Sequence, residues 1–347
     1  MKLLPEFCTG AIAGRLLMQI CVRPLLMLFL ALPPVVHAQP RLYAALVQSR
    51  GYVAGAKLAA SGLYRYEGGQ AWTHLGWNLP RVRAIAQDPA NAATIFLASS
   101  NGAARTKDGG KTWRMTTDWR VTEVLDVCFD PNATGHVYLA TAFGVWTSND
   151  GGETWAETSS GLSKRYTQSI VVDHTQAGRL FAGAEGGLYL SNDGARTWSR
   201  VGDEEADVLA LEQSPSAPQL WLAGTQDRGV LLSHDDGNTW KRARGELAQA
   251  SIYAVAVDSF NAQNLSAAGW NAGVWISVDG GETWQERSAG LPVRNLYETV
   301  FDAEHAGRLW IATFEEGVFY SEDLGQTWLE AGMKGAIVFD MVFIDEE

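Results

Sequence analysis

The segment Ser148-Asn149-Asp150-Gly151-Gly152-Glu153-Thr154-Trp155 recurs at Thr106–Trp113, Ser191–Trp198, Ser233–Trp240, Ser277–Trp284 and Ser321–Trp328, with a faint copy at Arg65–Trp72. The closing tryptophans stand at 72, 113, 155, 198, 240, 284 and 328, so the steps are 41, 42, 43, 42, 44 and 44 residues. The residue types explain themselves. Serine and aspartate bond nearby backbone groups and close a turn. Glycine supplies the positive φ of a tight reversal. Threonine and tryptophan start the outgoing strand, where a large ring can be buried against a neighbouring repeat. Such units cover their apolar faces only by stacking on one another.

A period in the low forties with one small β-unit per repeat is the spacing of a propeller blade. Each repeat parses as four short strands. In the third these are Val124–Phe129, Val137–Thr141, Gly144–Thr147 and Trp155–Thr158; in the sixth, Ile252–Val257, Leu265–Gly269, Gly273–Ile276 and Trp284–Arg287. The predicted fold is all-β: a single seven-bladed β-propeller of four-stranded antiparallel blades, with the recurring turn between the third and fourth strands. The predicted blades cover 41–79, 81–118, 122–160, 167–201, 206–246, 251–289 and 295–333, followed by a closing strand at 336–344. Leu42–Val47 and Ile337–Ile344 both read as innermost strands, giving eight candidates for seven places. The C-terminal strand is taken as the latch, displacing Leu42–Val47.

The recurring turn resembles the Asp-box, or BNR, repeat of sialidase-like propellers, and the match covers nearly all of the chain after residue 38. That resemblance implies a scaffolding role for Asp108, Trp113, Asp150, Trp155, Asp193, Trp198, Asp235, Trp240, Asp279, Trp284, Asp323 and Trp328. In that superfamily the boxes lie on the face away from the known active sites. In layout the chain is most similar to photosystem II stability/assembly-factor-like propellers, compact rings that bind protein precursors and catalyse nothing. Sortilin-like receptors share the box but carry a larger ring.

Residues 1–38 read as an export leader: Lys2, Arg15 and Arg23 precede the apolar run Leu25–Leu32, and Val36-His37-Ala38 offers a cleavage site. Met18 is an alternative start. The expected location is periplasmic or extracellular, with membrane association if the leader stays attached. Removing it takes away Lys2, Arg15, Arg23 and Glu6, leaving 24 basic and 38 acidic side chains, a net charge of −14. Such acidity disfavours nucleic acid as a partner. Cys128 is then the single remaining thiol, inside an apolar run, so no internal disulfide is expected. His74, His136, His174, His234 and His305 fall in different repeats without metal-ligand spacing, and neither metal nor cofactor is expected. The expected state is a monomer.

Strand alternation places the boxes and the first-to-second strand turns on one face, and the remaining loops on the other. That second face is predicted to carry Trp77, Arg81 and Arg83; Trp119 and Arg120; Lys164, Arg165 and Tyr166; Glu185; Asp227 and Arg228; Trp270 and Asn271; Arg294 and Tyr297; and Phe314, Glu315 and Glu316. Aromatic platforms and forked guanidinium donors suit recognition of a protein, peptide or glycan, with arginines favouring a carboxylate-bearing one. A bland alternative pairs those arginines with neighbouring acids. The sialidase resemblance also allows a glycoside hydrolase built from Arg83, Arg120, Arg165, Arg294, Tyr166, Tyr297, Glu298 and Asp126. Against it, the family's Arg-Ile-Pro start is absent, and Leu79-Pro80-Arg81-Val82 has its letters in the wrong order. A non-catalytic binding module is the favoured reading.

Overall fold

The computed structural model describes residues 40–49, 60–202 and 205–346. The predicted leader lies outside the described residues. Seven four-stranded antiparallel sheets form, and the innermost strand of each packs beside the innermost strand of the next. The ring closes on itself as a seven-bladed β-propeller. Apart from one 3-10 turn at Gly245–Gln249, no helix occurs among the described residues.

Blades two to seven each run from an innermost strand outward in chain order. Blade three, for example, comprises Val124–Phe129, Val137–Thr141, Gly144–Ser148 and Ala156–Glu157. The second strand of most blades is buried throughout, as in Val137–Thr141 and Leu309–Thr313, because blades cover both of its faces.

Blade one is assembled from both ends. Ala336–Ile344 is its innermost strand, followed outward by Arg41–Gln48, Gly62–Gly68 and Ala71–Leu75. The C-terminal strand is thus the latch. Arg41–Gln48, read from its apolar run as an innermost strand, sits one place further out. The reason is that the second strand of a blade is as apolar as the first, so composition alone does not separate them.

The recurring turn builds the same network six times. In blade three Ser148 Oγ donates to Asp150 Oδ1 (2.7 Å) and accepts the Gly152 N–H (2.7 Å). The Asp150 carboxylate also accepts the Thr154 N–H (2.9 Å) and its hydroxyl (2.6 Å). Thr106 and Asp108 reproduce this in blade two. Those bonds hold Asp108 down at about 2, the Thr112 hydroxyl contributing most. At Gly152, φ is +84° and an added Cβ would come within 2.4 Å of Phe96 in the preceding blade. No side chain fits there. The turns also abut the first-to-second strand loops, as where Gly151 N–H donates to Gly135 O (2.8 Å).

Six of the turn tryptophans divide into two kinds, while the buried Trp155 Nε1 makes no hydrogen bond. Trp72, Trp198 and Trp328 reach back to a carbonyl of the preceding blade, Ala331, Thr158 and Arg287 respectively. Trp113, Trp240 and Trp284 bond instead to a glycine carbonyl of their own turn. Trp113 and Trp198 are buried; Trp155, Trp240, Trp284 and Trp328 are half-buried.

Candidate functional site at the mouth of the central channel

Near its start on the loop face, every innermost strand carries one extra residue. Val82 pairs with Ser99 and Ala84 with Ala98, which leaves Arg83 without an opposite number. The same skip isolates Leu125, Gln168, Leu209, Tyr253, Tyr297 and Phe339. A bulge of this kind re-aims side chains, and all seven line a central cavity of about 880 Å³.

In four adjacent blades these positions carry Tyr253, Tyr297, Phe339 and Arg83. Ring centroids of Tyr253 and Tyr297 lie 5.6 Å apart, as do those of Tyr297 and Phe339. The Arg83 guanidinium sits 4.7 Å above Phe339. Two residues at the ends of second strands extend the row: Phe314, just past Leu309–Thr313, is 6.1 Å from Tyr297, and Trp270, the last residue of Leu265–Trp270, is 5.3 Å from Phe314. Aromatic contacts at these separations are worth about 0.5–1.5 kcal/mol each beyond burial, so the row is a rigid surface.

The same cavity also carries four acidic residues. Asp126, Glu298 and Asp340 each follow an extra residue in sequence, and Glu212 lies further along its strand. Two of them tie blades together: Asp126 accepts the Ile170 N–H (2.8 Å), and Asp340 the Ile85 N–H (2.7 Å). Burial is the main force raising all four. It lifts Asp126 to about 6, Asp340 to about 7 and Glu212 to about 8, with the Asp340 charge adding to Glu212. Glu298 is also raised well above the carboxylate range, by burial first and Asp340 second.

The sequence-predicted residues divide. Arg83, Tyr166 and Tyr297 line the cavity, and Trp270 joins the aromatic row. Arg83 and Tyr297 belong to strands, not loops. Trp77 and Trp119 are exposed by 47% and 85% and stand apart from that row. The expected guanidinium clamp does not assemble. Arg120 pairs with Asp118 (2.7 Å), Arg165 with Glu157, and Arg294 with Glu286 (2.8 Å). Arg81 is exposed, its backbone at a φ of 54°. Asp227 accepts from the Ser251 hydroxyl (2.5 Å), and the Asn271 N–H donates to Asn295 Oδ1 (2.9 Å). Glu315 makes backbone bonds with Ala336 and Gly335 on the latch segment, and Arg228 also has a partner. Sequence reading missed Tyr253, Phe339, Glu212 and Asp340 as parts of this site. Among the described residues no cluster of His, Cys, Asp or Glu has the arrangement of a metal site, and no helix is long and apolar enough to cross a membrane.

Comparison with known proteins places this geometry among propellers. A family profile described as sortilin, neurotensin receptor 3, matches residues 228–337. The GH74 enzyme of Niastella koreensis superposes with a TM-score of 0.68 at 17% identity, over 85% of this chain and 54% of that one. The chain therefore spans about half the length of that enzyme. YCF48 bound to D1 peptide superposes at 0.57 and 17% identity, over 73% of this chain and 83% of the other. YCF48 from Cyanidioschyzon merolae gives 0.58 at 13%, over 75% and 88%. No curated protein matches the sequence. The likeness is one of fold.

Proposed function

We propose that the protein is a non-catalytic binding module that holds a segment of a partner polypeptide at the loop-face mouth of its central channel. One observation carries the reading: Trp270, Phe314, Tyr253 and Phe339 each contact Tyr297, making a cluster of five rings at a cavity of about 880 Å³. Rigid aromatic rows at a concave site are the usual anchors of recognition. The opposite face is occupied by turns whose Asp and Ser groups are consumed in local bonds. The export leader read from sequence sets the encounter outside the cytoplasm. YCF48, a propeller of similar fold, holds the D1 peptide, and that precedent supports the same use here.

A glycoside hydrolase is the second reading. What favours it is the set of raised carboxyls beside Tyr297, together with the GH74 likeness in fold. Against it, Asp126 and Asp340 are engaged by backbone N–H groups of the next blade. The two readings separate on an array of random peptides, combined with a polysaccharide hydrolysis screen. Binding by the native protein should be lost in the Trp270→Ala/Tyr297→Ala double variant, with circular dichroism showing that the variant remains folded. Hydrolysis abolished by Glu298→Gln would overturn the binding-module reading.

A further inference from the structure

Resting on the reading of the mouth as a polypeptide site, we infer that the group inserted there is cationic: a lysine or arginine side chain of the partner, seated on the aromatic row with its charge pointing down the bore. The charge balance of the wall is the first observation. Asp126, Glu212, Glu298 and Asp340 line the cavity, and Arg83 is the one basic residue among its described lining residues. An anionic group entering here would meet four acids in a medium where repulsion is little screened.

The row itself supplies the second. Arg83 has no carboxylate within ion-pair distance among the described residues and lies on Phe339 at 4.7 Å, so one ring of this row already holds a guanidinium. Tyr253, Tyr297 and Trp270 continue the same row beyond it. Aromatic rings attract ammonium and guanidinium ions, by about 2 kcal/mol or more when the pair is desolvated. The third observation concerns the arginines that favoured an anionic ligand. Arg120 pairs with Asp118 of its own loop, and Arg165 and Arg294 pair with Glu157 and Glu286 of the preceding outermost strands, so these three arginines form no guanidinium clamp.

The carboxyls respond to such a guest. They share the bore with one another, with the phenols of Tyr166, Tyr253 and Tyr297, and with Arg83, while Cys128, near Asp126, packs between blades. Held partly protonated by burial and mutual repulsion, they give up protons when a cation arrives. Binding therefore strengthens as pH rises from 5.5 to 8.

The test uses three fluorescein-labelled, end-blocked decapeptides of alternating glycine with lysine, glutamine or glutamate, titrated by anisotropy at about 150 mM salt, where long-range attraction is screened. The lysine peptide should bind at least about tenfold tighter than the glutamine peptide, and the glutamate peptide most weakly. Its affinity should rise about tenfold between pH 5.5 and 8. Glu212→Gln/Glu298→Gln and Tyr297→Ala should each weaken it about tenfold, while Glu282→Gln, an exposed change on the opposite face, leaves it unaltered. Circular dichroism checks that each variant is folded. Equal binding of the three peptides, tighter binding of the glutamate peptide, absence of lysine-peptide binding, or an unchanged affinity in the double glutamine variant overturns the inference. If glutamine or glutamate peptides bind and Tyr297→Ala abolishes that binding, the mouth still holds polypeptide and only its preference for cations fails.

Discussion

Asp340, on the C-terminal strand, accepts the backbone N–H of Ile85 in blade two at 2.7 Å. This bond crosses the seam where the ring closes. Asp340→Ala leaves the buried Ile85 N–H without a partner and should cost about 1–3 kcal/mol, while Asp340→Asn keeps an acceptor and should cost less. Urea unfolding of the two variants checks this. Equal losses would mean that the seam does not depend on the bond.

The latch as a whole carries more. Ala336–Ile344 pairs along its length with Arg41–Gln48 and buries Val338, Met341 and Ile344. Without residues 336–347 blade one loses its innermost strand, and the unfolding midpoint should drop steeply. An unchanged midpoint would reject the latch.

Tryptophans separate buried from exposed rings. Trp198 is 4% exposed and bonds to Thr158 O in the preceding blade, whereas Trp119 is 85% exposed. Trp198→Ala should cost about 3–5 kcal/mol, and Trp119→Ala at most about 0.5 kcal/mol. Denaturant titration of both decides it, and equal penalties contradict the assigned environments.

The recurring turn admits a rescue experiment. Ser233, 1% exposed, accepts the Gly237 N–H and donates to Asp235. Ser233→Ala leaves that N–H unpaired and should cost about 1–3 kcal/mol. Ser233→Thr should recover most of it, because Thr106 makes the same bonds in blade two.

Stability should depend on pH in two opposite ways. Asp126, Asp340 and Glu212 titrate in the folded ring at about 6, 7 and 8, above their unfolded values. Their contribution is complete below pH of about 4 and is lost as pH climbs to 8. Asp108 and Asp235, held at about 2 by their threonine partners first, contribute above pH of about 4 and fail as pH falls to 2. Melting temperature should therefore peak near pH of about 4–5, and Glu212→Gln should flatten the alkaline side. A melting curve that rises from pH 5 to 8 would contradict this assignment.

Much of the ring is visible in the residues because its turns demand particular chemistry: Ser, Asp and Gly at fixed offsets have few other uses. The arginine pairs were half visible. Asp118 lies two positions from Arg120 and could be matched by eye, but Glu157 reaches Arg165 across a loop whose path the sequence does not spell out. The mouth was hidden for a different reason. Tyr253 and Phe339 lie inside apolar runs, where alternation assigns them to packing between blades, and one inserted residue reverses that assignment. A large side chain directly after the leading Ile252, Leu296 or Val338 was the available hint.

The seven inserted residues have one more consequence. They contact the bore, whereas the flanking Val82, Val124, Val208 and Leu296 pack between neighbouring sheets. Exchange at an inserted position thus alters what the bore admits without disturbing how the sheets fit, since overpacking penalties apply to the flanking sites. Seven such places around one axis form a combinatorial rim, and new selectivities are reachable there by single codon changes on an unaltered frame.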